Sequence, residues 1–137
     1  MWTAILEKAF AKHHGNYLHI EGGDPAFAIR TMTGAPFERY DHKKMSAWDL
    51  WQKLKAHDEA GDIMSAGSPP GSDKTQSTTG LVQGHAFTVL GVKETSAGDY
   101  LVKIRNPHGK EHYHGAWGDT DARWTPALLA EVGHTLN

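Results

Sequence analysis

Over residues 2–14 apolar side chains recur at intervals of three and four. Trp2, Ile5, Leu6, Ala9 and Phe10 form one stripe, with Glu7, Lys8 and Lys12 opposite. That spacing predicts a helix, and Gly15-Asn16 supplies its C-terminal stop. Glu21-Gly22-Gly23 breaks the chain. Asp24-Pro25 then offers an N-cap followed by a proline at the first helical position, so a short helix is expected over 25–32, stopped by Gly34-Ala35-Pro36. Residues 37–44 read as strand or loop. The clearest helix runs from Ser46 through Ala60. Ser46 and Asp49 resemble a capping box, Trp48, Leu50, Trp51 and Leu54 provide the apolar side, and Gly61 ends it.

Beyond Gly61 the period changes. Ile63-Met64-Ser65-Ala66 is a short strand candidate, and the Gly/Ser/Pro/Thr-rich residues 67–80 form a long exposed loop. Residues 81–93 and 100–106 are rich in β-branched and aromatic side chains around a polar break, the pattern of a hairpin. Strict alternation puts Phe87 and Val89 on one face of the first strand, with Leu90 and Val92 on the other. Tyr100, Val102 and Ile104 share a face of the second. A further strand is expected near 111–117, and Thr125-Pro126 opens a last short helix. Helices first and antiparallel strands after predict an α+β fold.

Composition narrows the class. The chain has 137 residues, 39% hydrophobic and 22% charged, with a net charge of −2. That describes an ordinary globular domain able to bury a core. No basic block points to nucleic acid. No run approaches the ~18 apolar residues of a membrane span, and the N-terminus lacks the pattern of a signal peptide. There is no cysteine, so this chain supplies no disulfide, thiolate ligand or thiol nucleophile. An intracellular, cytoplasmic setting is expected.

The hairpin carries the candidate chemistry. His85 enters its first strand and Asn106 leaves its second. Reflection through the break near residues 96–97 brings the two within about two residues of register, so they are expected as cross-strand neighbours. An imidazole held by a carboxamide makes a general base of fixed tautomer, the His-Asn portion of a Cys-His-Asn triad. The same two residues also suit an ordinary strand start and an Asn-Pro turn.

The surrounding strings resemble a known family. Gly84-His85-Ala86-Phe87-Thr88-Val89 is similar to the motif around the catalytic histidine of calpain-family cysteine proteases, within the papain-like superfamily. Arg105-Asn106-Pro107-His108-Gly109 resembles the motif with their catalytic asparagine, and Gly115-Ala116-Trp117-Gly118-Asp119 resembles the segment that follows it. The N-terminal Ala4–Tyr17 stretch, Glu21-Gly22-Gly23 and Thr33-Gly34 match further landmarks in order.

The resemblance implies the second, His/Asn-bearing half of a papain-like core, an antiparallel β-sheet or half-barrel subdomain with a few flanking helices. By it, residues 1–20 are the last helix and linker of the Cys-bearing half, and 21–137 are the β-rich subdomain, incomplete at its C-terminal end. It implies a calcium-dependent endopeptidase in which His85 is general base and Asn106 its orienting partner. The main chain at Gly22, Gly23 and Gly84 would pair with an extended peptide substrate. The nucleophilic cysteine would belong to a missing N-terminal half, without which this chain is inactive. Asp119 matches one acidic calcium-ligand position, and the other falls on His112 beside Glu111. His108 stands where the family has a tryptophan, which leaves open a non-catalytic calpain-like interaction or scaffold module.

Two other signals are weaker. His108, His112 and His114 could offer imidazoles to zinc, but a polar hairpin face explains them as well. His13 and His14 suit a helix C-terminus.

Overall fold

A computed structural model of the chain describes residues 1–110 and 113–136. The chain forms two compact units, Met1–Glu38 and Arg39–Asn137.

The first unit is helical. Helix α1 spans Trp2–His13, a 3₁₀ turn spans Tyr17–Ile20, and α2 spans Pro25–Thr33. The 3₁₀ turn was not legible in the periodicity. Asn16 makes it: its side chain accepts the His19 N–H at 3.1 Å and caps the new turn, while α1 ends at His13 with His14 as its cap. Asp24 caps α2 by accepting from Ala26 N–H, and Gly34, left-handed at φ 73°, closes it. The apolar stripe of α1 buries little. Ala11 is enclosed, whereas Trp2 is 73% and Ile5 65% exposed.

In the second unit α3 spans Ala47–Ala60. The Ser46 hydroxyl accepts the Asp49 N–H at 3.0 Å and donates to the Asp49 carboxylate at 2.7 Å. Trp51 is buried and lays its ring 4.9 Å from that of Tyr100. Strands β1 (Met64–Gly67), β2 (Ala86–Glu94) and β3 (Tyr100–Arg105) form one antiparallel sheet in the order β1-β2-β3. Helix α4 spans Pro126–Val132. Helices with an antiparallel three-stranded sheet make the fold α+β, as expected.

The sheet corrects the expected alternation. Val89 pairs with Ile104 but Val92 with Val102, so Leu90 is an extra residue with no partner on β3. Directly paired residues point to one face, and Ile104 and Val102 share theirs. Val92 therefore joins Phe87 and Val89 on one face, where strict alternation had put it on the other. Helix α3 meets this bulge: Asp58 accepts the Val92 N–H at 3.3 Å, and a Cβ on Gly91 would come within 3.2 Å of the Asp58 carboxylate. No periodicity in β2 announces a bulge whose position is set by another element.

Two boundaries also move. The first hairpin strand starts at Ala86 instead of 81, because residues 68–85 form a loop with its own bonds. Gln76 bridges Val82, and Ser77 N–H donates to Leu81 O at 2.8 Å. Residues 113–117 are not a strand. Tyr113 donates its hydroxyl to Ala116 O, and His114 is tied back to Thr78 and Thr79. Glu111 and His112 lie outside the described residues. Residues 37–44 carry no strand either. Tyr100, Val102 and Ile104 stay 43–47% exposed, so the sheet face is only partly covered.

Trp51 is the main apolar link between α3 and the sheet. Truncation to Ala should cost about 3–5 kcal/mol in denaturant unfolding of this unit. A loss under about 1 kcal/mol would mean that α3 is docked by something else.

Candidate active site

His85 sits one residue before β2, on the same parity as Phe87. Asn106 sits one residue after β3, on the parity of Ile104. Since Val89 pairs with Ile104, both side chains belong to one face of the sheet. His85 Nε2 lies 2.9 Å from Asn106 Oδ1.

Which way the carboxamide points is decided by two backbone groups. Asn106 Nδ2 donates to Lys110 O at 3.0 Å, and Oδ1 accepts the His108 N–H at 3.0 Å. A carbonyl requires a donor and an N–H requires an acceptor, so the flipped amide would break both bonds. The oxygen therefore faces the imidazole. Being only an acceptor, it places the hydrogen on Nε2 and leaves the lone pair of the neutral ring on Nδ1. No hydrogen bond engages Nδ1 among the described residues.

The ring itself is bracketed. Phe87 meets it edge-on at 4.9 Å between centroids, and His108 lies at 4.5 Å. Its backbone is pinned by Ser68, whose N–H donates to His85 O at 2.9 Å while its hydroxyl accepts the His85 N–H at 2.9 Å. Gly84 precedes it at φ 54°, where a Cβ would stand 2.2 Å from Gly71 O, so only glycine fits there. Ser68, Gly71 and Lys110 were missed in the sequence, where each is one small or charged residue in a loop and nothing marks its long-range partner.

The other expected site residues are Gly22, Gly23 and Asp119. Gly22 and Gly23 belong to the first unit, with open space where a side chain would be. Asp119 accepts from His134 Nε2 at 3.2 Å. A hard cation such as calcium takes six to eight oxygen ligands. Among the described residues no group of three or more His, Cys, Asp or Glu side chains is placed to hold a metal ion. His112 and Glu111 fall outside those residues. His114 Nε2 lies 3.0 Å from Thr78 O.

The Gly115–Asp119 segment is held by Asp121. This carboxylate accepts from Trp117 N–H at 2.7 Å and from the Arg123 N–H and Nε at 3.0 Å. Trp117 is left-handed at φ 64°, a strain of order 1 kcal/mol or more for a bulky side chain. Its ring lies 4.2 Å under the Arg123 guanidinium and 5.0 Å from Trp124, which offset that strain. The Arg123 side chain first, then the backbone N–H groups of Arg123 and Trp117, hold the Asp121 carboxyl well below the usual carboxylate range.

Nδ1 of the neutral His85 ring is thus left open, and the chain carries no thiol. Residues 1–133 match the calpain family of cysteine proteases. The calpain-type cysteine protease ADL1 of Oryza sativa subsp. japonica is 38% identical over 141 residues, covering 98% of this chain and 6% of that protein. Human calpain-9 is 32% identical over 143 residues, covering 98% of this chain and 21% of its own length. Drosophila melanogaster Calpain-A is 32% identical over 149 residues, covering 99% and 18%. The chain spans less than a quarter of each relative.

Two measurements check this geometry. Nitrogen-proton NMR correlations of the His85 ring should show the Nε2–H form, and a tautomer mixture like that of free histidine would contradict it. Because the folded-state pKa of Asp121 is depressed, its stabilisation is present above the unfolded value near 4 and is lost as pH falls. Asp121→Asn should therefore be less stable than the parent at pH 7, with the gap closing below about pH 4. A gap independent of pH would rule out the pairing as its source.

Proposed function

The chain belongs to the calpain family of cysteine proteases, and from that premise we propose that it is the portion of a calpain-type endopeptidase that supplies general base and orienting amide. Calcium dependence goes with that family; no step here is routed through the ion. The observation that carries the reading is the His85–Asn106 bond, with the amide locked by Lys110 and His108 and Nδ1 left as the basic nitrogen.

The roles follow from that nitrogen. His85 Nδ1 takes the proton of a cysteine thiol contributed by the Cys-bearing half, and the thiolate attacks the scissile carbonyl. The same nitrogen returns the proton to the departing amine, leaving a thioester. His85 then deprotonates the water that hydrolyses it. Asn106 keeps the ring at one angle and one tautomer throughout without adding a charge. The main chain at Gly84, Gly22 and Gly23 pairs with an extended peptide substrate. Alone, a chain without cysteine is inactive. The exposed stripe of Trp2 and Ile5 supports a docking role for α1 against the Cys-bearing half.

One observation favours a second reading. His108, a small polar ring in place of an indole, packs on the base, as a non-catalytic calpain-like scaffold would tolerate. The nucleophile position separates the two: cysteine goes with the enzyme, serine or glycine with the scaffold.

In the full-length protein His85→Ala should lower peptide hydrolysis by roughly 10²–10⁴-fold. Asn106→Ala should lower it less, because it acts through the base. Labelling by a thiol-reactive peptide probe should fall in parallel. Unchanged hydrolysis in His85→Ala would end the proposal.

A further inference from the structure

A second nucleophile-like arrangement lies in the same unit and shares no residue with the His85–Asn106 pair. His57 is on the last turn of α3. Gly61, left-handed at φ 74°, turns the chain so that Asp62 N–H donates to His57 O at 2.9 Å. The Asp62 carboxylate comes back to His57 Nδ1 at 2.8 Å. On the other side of the ring, Nε2 lies 2.8 Å from the Tyr40 hydroxyl.

A carboxylate only accepts, so Nδ1 of the neutral ring carries the hydrogen and Nε2 the lone pair. The phenol then donates to Nε2. Nucleophile to base to orienting group is the triad arrangement, built here from Tyr, His and Asp. Lys53, one turn before His57 on α3, holds its ammonium 5.8 Å from the centre of the Tyr40 ring, where it favours negative charge on the phenol. Tyr40 also borders an open hollow of about 380 Å³, with Arg39, Asp41, Lys44 and Met45 around it.

We propose that Tyr40 is a base-activated nucleophile that takes up an electrophilic acyl or sulfonyl group, with His57 receiving its proton and Asp62 holding that imidazole. The phenolic oxygen forms a bond to the electrophilic carbon or sulfur. The leaving group departs with its bonding pair, and the proton moves to Nε2. The imidazolium so formed is paired with Asp62. The product is an aryl ester or aryl sulfonate at a defined tyrosine.

A simple tether between the 39–45 segment and α3 would use the same hydrogen bonds without raising reactivity, so the rate of labelling decides. The whole chain is treated with an aryl sulfonyl fluoride, and modified tyrosines are mapped by mass spectrometry over time. Tyr17 is the internal reference. It is 55% exposed, whereas Tyr40 is half-buried, so exposure alone makes Tyr17 the faster site. Tyr40 should react about tenfold faster than Tyr17 or more, and His57→Gln should lower its rate by about tenfold while Tyr17 is unaffected. Tyr40 reacting no faster than Tyr17, or at the parent's rate in folded His57→Gln, would overturn the proposal. Should His57→Gln fail to fold by circular dichroism, Asp62→Asn decides. A fall of several-fold is expected, and an unchanged rate overturns it.

Discussion

The carboxamide of Asn106 has three partners and only one orientation that serves them all. Lys110 O needs a donor, His108 N–H needs an acceptor, and what is left of the oxygen meets His85. A side chain whose two ends look alike in electron count is thereby made directional by the backbone of its own loop. The directionality passes to the imidazole as a tautomer. Which nitrogen of the neutral imidazole carries the hydrogen descends from that turn of five residues.

The turn can act on His85 only because the sheet delivers both residues to one face. β1 and β2 hold His85 from one side through the paired bonds with Ser68, and β3 brings Asn106 from the other. The bulge at Leu90 lies farther along β2, beyond the His85 end, so it re-aims Val92 toward the apolar face without disturbing the parity of His85 and Phe87. The loop from 113 to 124 lies over part of the sheet at some conformational cost. Trp117 tolerates a left-handed backbone because Asp121, Arg123 and Trp124 surround it with a carboxylate, a cation and a second indole. The β2–β3 turn is tied to α4 through Glu131, which accepts from the Ser96 N–H and hydroxyl.

Membership of a protease family and absence of the nucleophile are compatible features of the same chain. It covers a small part of each relative, and it holds an imidazole bonded to a locked carboxamide without a thiol. The tyrosine relay at the end of α3 shows the same logic in another place. In both, an acceptor-only oxygen on one side of an imidazole settles which nitrogen faces outward.

The periodicity of α1 and α3, the caps at Asp24 and Ser46, and the hairpin around residues 95–98 were legible because local rules decide them: 3.6-residue spacing, an oxygen three residues before an orphan N–H, a glycine where φ is positive. The convergence of His85 and Asn106 was legible for a related reason, since a short turn between two strands leaves few registers. What escaped were contacts between residues far apart in sequence, each a single unremarkable side chain: Ser68 on His85, Gly71 against Gly84, Asp58 at the bulge, Asp62 and Tyr40 on His57. The chain by itself determined which elements form and which two residues end up at the mouth of the hairpin. Only the tertiary structure decided which nitrogen is free, which face Val92 takes and which glycine cannot be replaced, because those depend on distances across space that no spacing along the chain encodes.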